Sequence, residues 1–164
     1  MHGLIGLAHV TGISAYLGAT LLLTLALESV GRTAPDAVAR RHRFAELFRV
    51  YNPLSIAALG IAVVTGAMMV TGYKQSLGAG YFAQVGRPLA GKLSLAFVLI
   101  ITATWISFGI CHRLVNADMG GLPVTDAGLR RLIARLRVAL WISLTLTLAT
   151  VWFALSARSM AIAG

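Results

Sequence analysis

The chain of 164 residues is 58% hydrophobic and 12% charged, with a mean hydropathy of +0.83. A soluble domain averages about 45–50% apolar and about 25% charged residues, and one of this size cannot bury such an excess, so a soluble globular enzyme and a disordered or collagenous chain are excluded. The net charge of +9 comes from 14 Lys and Arg against 5 Asp and Glu, and in so apolar a chain it points to a bilayer with anionic headgroups, not to nucleic acid.

Four stretches reach the roughly 20 apolar residues that a helix needs to cross a bilayer core. Backbone groups in lipid must bond within their own segment, so all four read as helices: an all-α, integral membrane four-helix bundle forming one domain over 1–164. The first span covers about 4–27. It lacks a basic leader, and its apolar run exceeds the usual signal-peptide core, so it is expected to be retained.

The connection after it carries Arg32, Arg40, Arg41, Arg43 and Arg49. Pro35 suits a first helical turn and Asp36 complements the positive helix end, while Val38, Phe44, Leu47, Phe48 and Tyr51 recur at helical spacing. This amphipathic segment reads as an interfacial helix or a lead-in to the second span, 54–70, with Asn52-Pro53 marking a kink or break. The next connection, Tyr73 to Gly91, holds Gly78, Gly80, Gly86 and Pro88 and is expected to be an irregular lid. The third span is 93–110. The fourth, 138–155, continues a helical pattern that starts at the candidate caps Thr125 and Asp126, roughly 45 Å in all, so one end protrudes.

Basic residues set the orientation. The connections after the first and third spans also include Arg113, Arg130, Arg131, Arg135 and Arg137, making ten, against Lys74, Arg87, Lys92 and Arg158 on the other side. The arginine-rich side is therefore expected in the cytoplasm, with both termini outside, in what reads as a bacterial inner membrane. The small-residue pairs Ala8/Gly12, Ser14/Gly18 and Ala62/Gly66 are expected to mark close helix contacts.

Ionisable groups within the spans are the functional clues. His9 and Lys92 share an outer layer, which Tyr73 and Lys74 can reach. Glu28, His42, His112 and the arginines share an inner one, where snorkelling and salt bridges explain them. His9 is short and deep, so it is either a hydrogen-bonded packing histidine or a ligand or proton-handling group. Histidine is a common axial ligand of haem iron. His2 lies too far up the same helix and His112 at the other end, so the candidates are haem on His9 alone or with Lys92 as second ligand. Copper held by Met68, Met69 or Cys111 is the other option. The lone Cys111 excludes a disulfide framework and a multi-thiolate site.

Ala8-His9-Val10, Tyr16-Leu17-Gly18, Arg43-Phe44, Asn52-Pro53-Leu54, Val64-Thr65-Gly66, Gly91-Lys92-Leu93 and Cys111-His112-Arg113-Leu114 together resemble the superfamily of small four-helix membrane proteins that includes HemJ-type protoporphyrinogen oxidases and CopD-type copper-resistance domains. The resemblance implies haem b bound by His9 and Lys92 and an oxidase passing electrons on in the membrane. The chain departs from the HemJ pattern before His9, where Leu4 to Ala8 stand in place of Trp and Lys, and at Ala90, where a histidine is usual. Two readings follow: a HemJ-like haem protein with a redox role, or a non-enzymatic CopD-like metal-handling module or accessory subunit of a larger complex. A homodimer sharing its cofactor face fits the first.

Overall fold

A computed structural model describes residues 2–34, 36–120 and 125–162. It consists of helices α1 (His2–Thr33), α2 (Ala37–Leu77), a 3-10 turn (Gly78–Gly80), α3 (Tyr81–Thr104), a π-helical segment (Trp105–Cys111), α4 (His112–Asp118) and α5 (Asp126–Ile162). Helix α3, the π segment and α4 run on as one rod. Among the described residues four helical segments are long and apolar enough to cross a membrane, as the composition requires.

The helices go up and down in turn. Helix α1 packs on α2 and α5, α3 packs on α5, and the lower end of the third rod packs on α2. Helices α1 and α3 are therefore diagonal partners. The connections after α1 and α4 bring the arginines to one end of the bundle, and the core is thickest there. Leu23 and Leu27 of α1 meet Phe44 and Phe48 of α2, Ile106, Ile110 and Leu114 of the third rod, and Leu136 and Leu140 of α5. Phe44 and Phe48 stack with centroids 6.2 Å apart. A smaller cluster of Tyr16, Ala58, Leu99 and Ala103 follows toward the other end.

Three expectations need correcting. Of the two readings of the amphipathic segment, the lead-in to the second span holds and the separate interfacial helix does not, because α2 passes through Pro53 without the expected break. Phe44, Phe48 and Tyr51 are buried on one side of the proline and Ala58 and Ala62 on the other, so both halves are held by packing. Ser55 Oγ donates to the Asn52 carbonyl at 3.1 Å beside it. The irregular lid is likewise absent. Helix α2 extends to Leu77, the chain reverses over Gly78–Gly80 with Gly78 at φ +53°, and α3 carries Gly86, Pro88 and Gly91 within it. A low-dielectric surrounding favours internally bonded backbone over an open loop, even where glycine and proline weaken the helix. Finally, Ser14/Gly18 is not a close contact, since a Cβ on Gly18 would meet nothing within 4 Å.

The caps follow the sequence more closely. Asp36 accepts from the Ala39 N–H at 2.7 Å and is the N-cap of α2, while Pro35 lies outside the described residues. Thr125, and not Asp126, caps α5, its hydroxyl accepting from the Gly128 N–H at 3.2 Å.

Polar side chains in the spans are mostly satisfied locally. Thr20, Thr24 and Thr147 each donate to the carbonyl four residues back. A buried hydroxyl pair between helices joins Tyr16 of α1 and Ser143 of α5 at 2.7 Å. Tyr16→Phe should lower stability by about 1 kcal/mol, the scale of interhelical hydrogen bonds in membranes, read as a lower unfolding midpoint in detergent.

Candidate functional site

His9 lies two turns into α1 on the face toward α2. A glycine at position 66 makes its place: a Cβ there would come within 3.0 Å of His9 Cε1. Nδ1 is 2.8 Å from the Ala62 carbonyl and 3.2 Å from Thr65 Oγ1. A carbonyl can only accept, so Nδ1 carries the hydrogen. Thr65 gives its own hydrogen to the Ile61 carbonyl at 2.6 Å, and accepts on this side. The tautomer is thereby fixed, and in the neutral ring Nε2 keeps its lone pair. That arrangement, one imidazole nitrogen held by a backbone carbonyl and the other free, is how ligating histidines are oriented.

Lys92, half-buried on α3, has no hydrogen-bond or ion-pair partner among the described residues. Its level follows from helix α5. Tyr16 is level with Ser143, so His9 is level with about residue 150, while Gly91 faces Phe153. His9 and Lys92 therefore stand within about a turn of each other in height. They do not meet, because α1 and α3 occupy opposite corners and His9 is turned toward α2.

The other candidates are dispersed. Met68 is exposed on α2, whereas Cys111 is buried in the core at the arginine-rich end. The structure does not bring these soft donors together. Among the described residues no three His, Cys, Asp or Glu side chains gather as a metal site.

At the arginine-rich end the salt bridges expected from composition are present and tie helices together. Arg137 of α5 meets Glu28 of α1 at 2.9 Å. Asp118, only 8% exposed at its side chain, accepts from Arg49 and from His42 Nδ1, both at 3.2 Å, which joins the end of α4 to α2. His42 also approaches Glu46 at 3.5 Å. His112 and Arg113 are exposed. Asp118→Ala should cost about 2 kcal/mol, because two charge-assisted bonds to a buried carboxylate are lost together. Glu28→Ala, which breaks an open pair, should cost less than about 1 kcal/mol. Parallel chemical denaturation of the two variants checks the ranking.

The sequence carried no sign of the π segment. Its wide turn leaves the Ser107 carbonyl accepting both from the His112 N–H and from Asn52 Nδ2, the latter at 3.4 Å. Asn52 Oδ1 is buried without a partner.

Compared with family models, curated proteins and solved structures, the chain matches none.

Proposed function

We propose that the protein is a haem-b-binding integral membrane protein of the HemJ-like kind with a redox or electron-transfer role, and that His9 Nε2 would hold the iron. The observation that carries this reading is the hydrogen bond from His9 Nδ1 to the Ala62 carbonyl, which leaves one ring nitrogen in the state a metal requires. The donor chemistry fits one axial ligand. Lys92, within about a turn of His9 in height but on the opposite corner, is the proposed second donor, and holding one iron with His9 would require its side chain to turn from the α3 corner.

Haem iron, when bound, supplies one-electron transfer. The protein's own residues do the rest. Ala62 and Thr65 hold the imidazole plane, and Gly66 leaves it room beside α2. The same reading places the ten arginines in the cytoplasm and both termini outside, with a bacterial inner membrane as the site and anionic headgroups as neighbours of the basic end. Protoporphyrinogen oxidation is the activity that goes with it, and a homodimer or larger complex is the proposed assembly.

The test is an absorption spectrum of the purified protein, as isolated and after dithionite. A Soret band that shifts on reduction supports the reading. A preparation that stays colourless when made with added haem overturns it and leaves the CopD-like or accessory-subunit alternative.

A further inference from the structure

Between α2 and the α3–π rod, away from His9, lies a groove of about 230 Å³ whose lining includes Ser55, Leu59, Gly60, Ile100, Thr104 and Ser107. A shallower depression shares Ile100 and Thr104 with it and is walled by Trp105. The groove is apolar but not featureless. Most threonines on the spans spend their hydrogen on the carbonyl four residues back, as Thr65, Thr102 and Thr147 do. Among the described residues the hydroxyls of Thr104 and Ser107 have no partner. They stand about one turn apart on the same wall of the groove. Unmade hydrogen bonds are costly in an apolar medium, so a donor pair aimed at this groove favours an acceptor that enters from the lipid.

Depth decides which acceptor. Thr104 is nine residues from Arg113, about 13 Å along the rod, which places it near the middle of a roughly 30 Å hydrocarbon core. Ester carbonyls of phospholipids stay at the headgroup boundary and do not reach it. Size narrows the choice again. A cavity of about 150 Å³ accepts benzene, so this groove suits a substituted six-membered ring. We propose that it binds the carbonyl-bearing ring of a lipid-soluble molecule, quinones included, with Thr104 and Ser107 donating to the carbonyl oxygen. The inference does not rest on the haem reading.

The test uses the full chain in lipid nanodiscs, carrying Trp141→Phe and Trp152→Phe so that Trp105 alone reports, with 2-methyl-1,4-naphthoquinone as the probe. Saturable quenching of Trp105 is expected. Gly60→Leu should remove the saturable component by filling the groove, and it is tolerable because a Cβ at Gly60 meets nothing within 4 Å. The double variant Thr104→Val, Ser107→Ala should bind about tenfold more weakly, the loss of one to two ordinary hydrogen bonds. The hydrocarbon 2-methylnaphthalene, equal in shape and without a carbonyl, should fail to displace the probe. Quenching that rises linearly and is unchanged by Gly60→Leu shows partitioning only and overturns the proposal. So does equal affinity in the hydroxyl-free variant, or displacement by the hydrocarbon. Helical circular dichroism of both variants confirms that each is folded.

Discussion

On the proposed haem reading, His9→Ala should abolish the haem Soret band while leaving the helical content intact. The expectation is all-or-none because, on the proposed reading, no other described side chain at that height can replace an imidazole whose tautomer is fixed by Ala62. A purely packing histidine predicts something different: a small fall in stability and an unchanged spectrum. Two further variants grade the result. Gly66→Ala puts a Cβ 3.0 Å from His9 Cε1, so the ring must shift and its bond to Ala62 lengthen, and haem should be retained with weaker affinity. Lys92→Leu removes the amine and puts no iron donor in its place, and should alter the Soret spectrum if Lys92 helps to hold the haem. Absorption spectra of the three proteins, purified with haem supplied, check the series. An unaltered Soret band in His9→Ala removes the ligand assignment.

Much of this bundle was readable from the residues, for a physical reason. Lipid imposes one requirement, a long apolar helix, and hydropathy reports it directly, so the four spans and the long α5 appear where composition put them. The caps Asp36 and Thr125 are equally local. What escaped was whatever depends on competition between local and environmental preferences. Asn52-Pro53, and Gly86, Pro88 and Gly91, carry breaker signals that would hold in water, yet helix continues through all of them. Small-residue spacing was also ambiguous: Ala8/Gly12 and Ser14/Gly18 look alike in sequence, and only the first faces a neighbour closely. The π segment left no trace, since the nearly unbroken apolar run from Trp105 to Cys111 is equally compatible with either helix. As for the site, the depth of His9 singled it out, but its partner carbonyl did not show, because a backbone atom on another helix has no signature in the chain.

A large effect on stability is also expected at Gly12. A Cβ there would stand 2.9 Å from both the Ala58 carbonyl oxygen and the Ala62 nitrogen, and 3.3 Å from Ala62 Cα. All three are backbone atoms of α2, so no side chain can swing aside and the helices themselves must part. In lipid no hydrophobic force drives them back together, and their association rests on this close packing. Gly12→Ala should therefore cost about 2 kcal/mol, within the range for overpacked sites, and Gly12→Leu more. Gly18→Ala, whose Cβ meets nothing, should stay within about 0.5 kcal/mol of the parent. The contrast separates a steric wedge from a general effect of adding methyl groups to α1. The wedge also reaches the site. His9 lies one turn from Gly12 on α1, and its acceptor Ala62 is the residue that Gly12 touches. Parting the helices by a few tenths of an ångström lengthens the Nδ1 bond and frees the ring. Unfolding midpoints and haem affinity should thus fall together in Gly12→Ala and stay unchanged together in Gly18→Ala. A Gly12 variant that loses stability but keeps full haem affinity would show that the α1–α2 contact and the His9 tautomer are uncoupled.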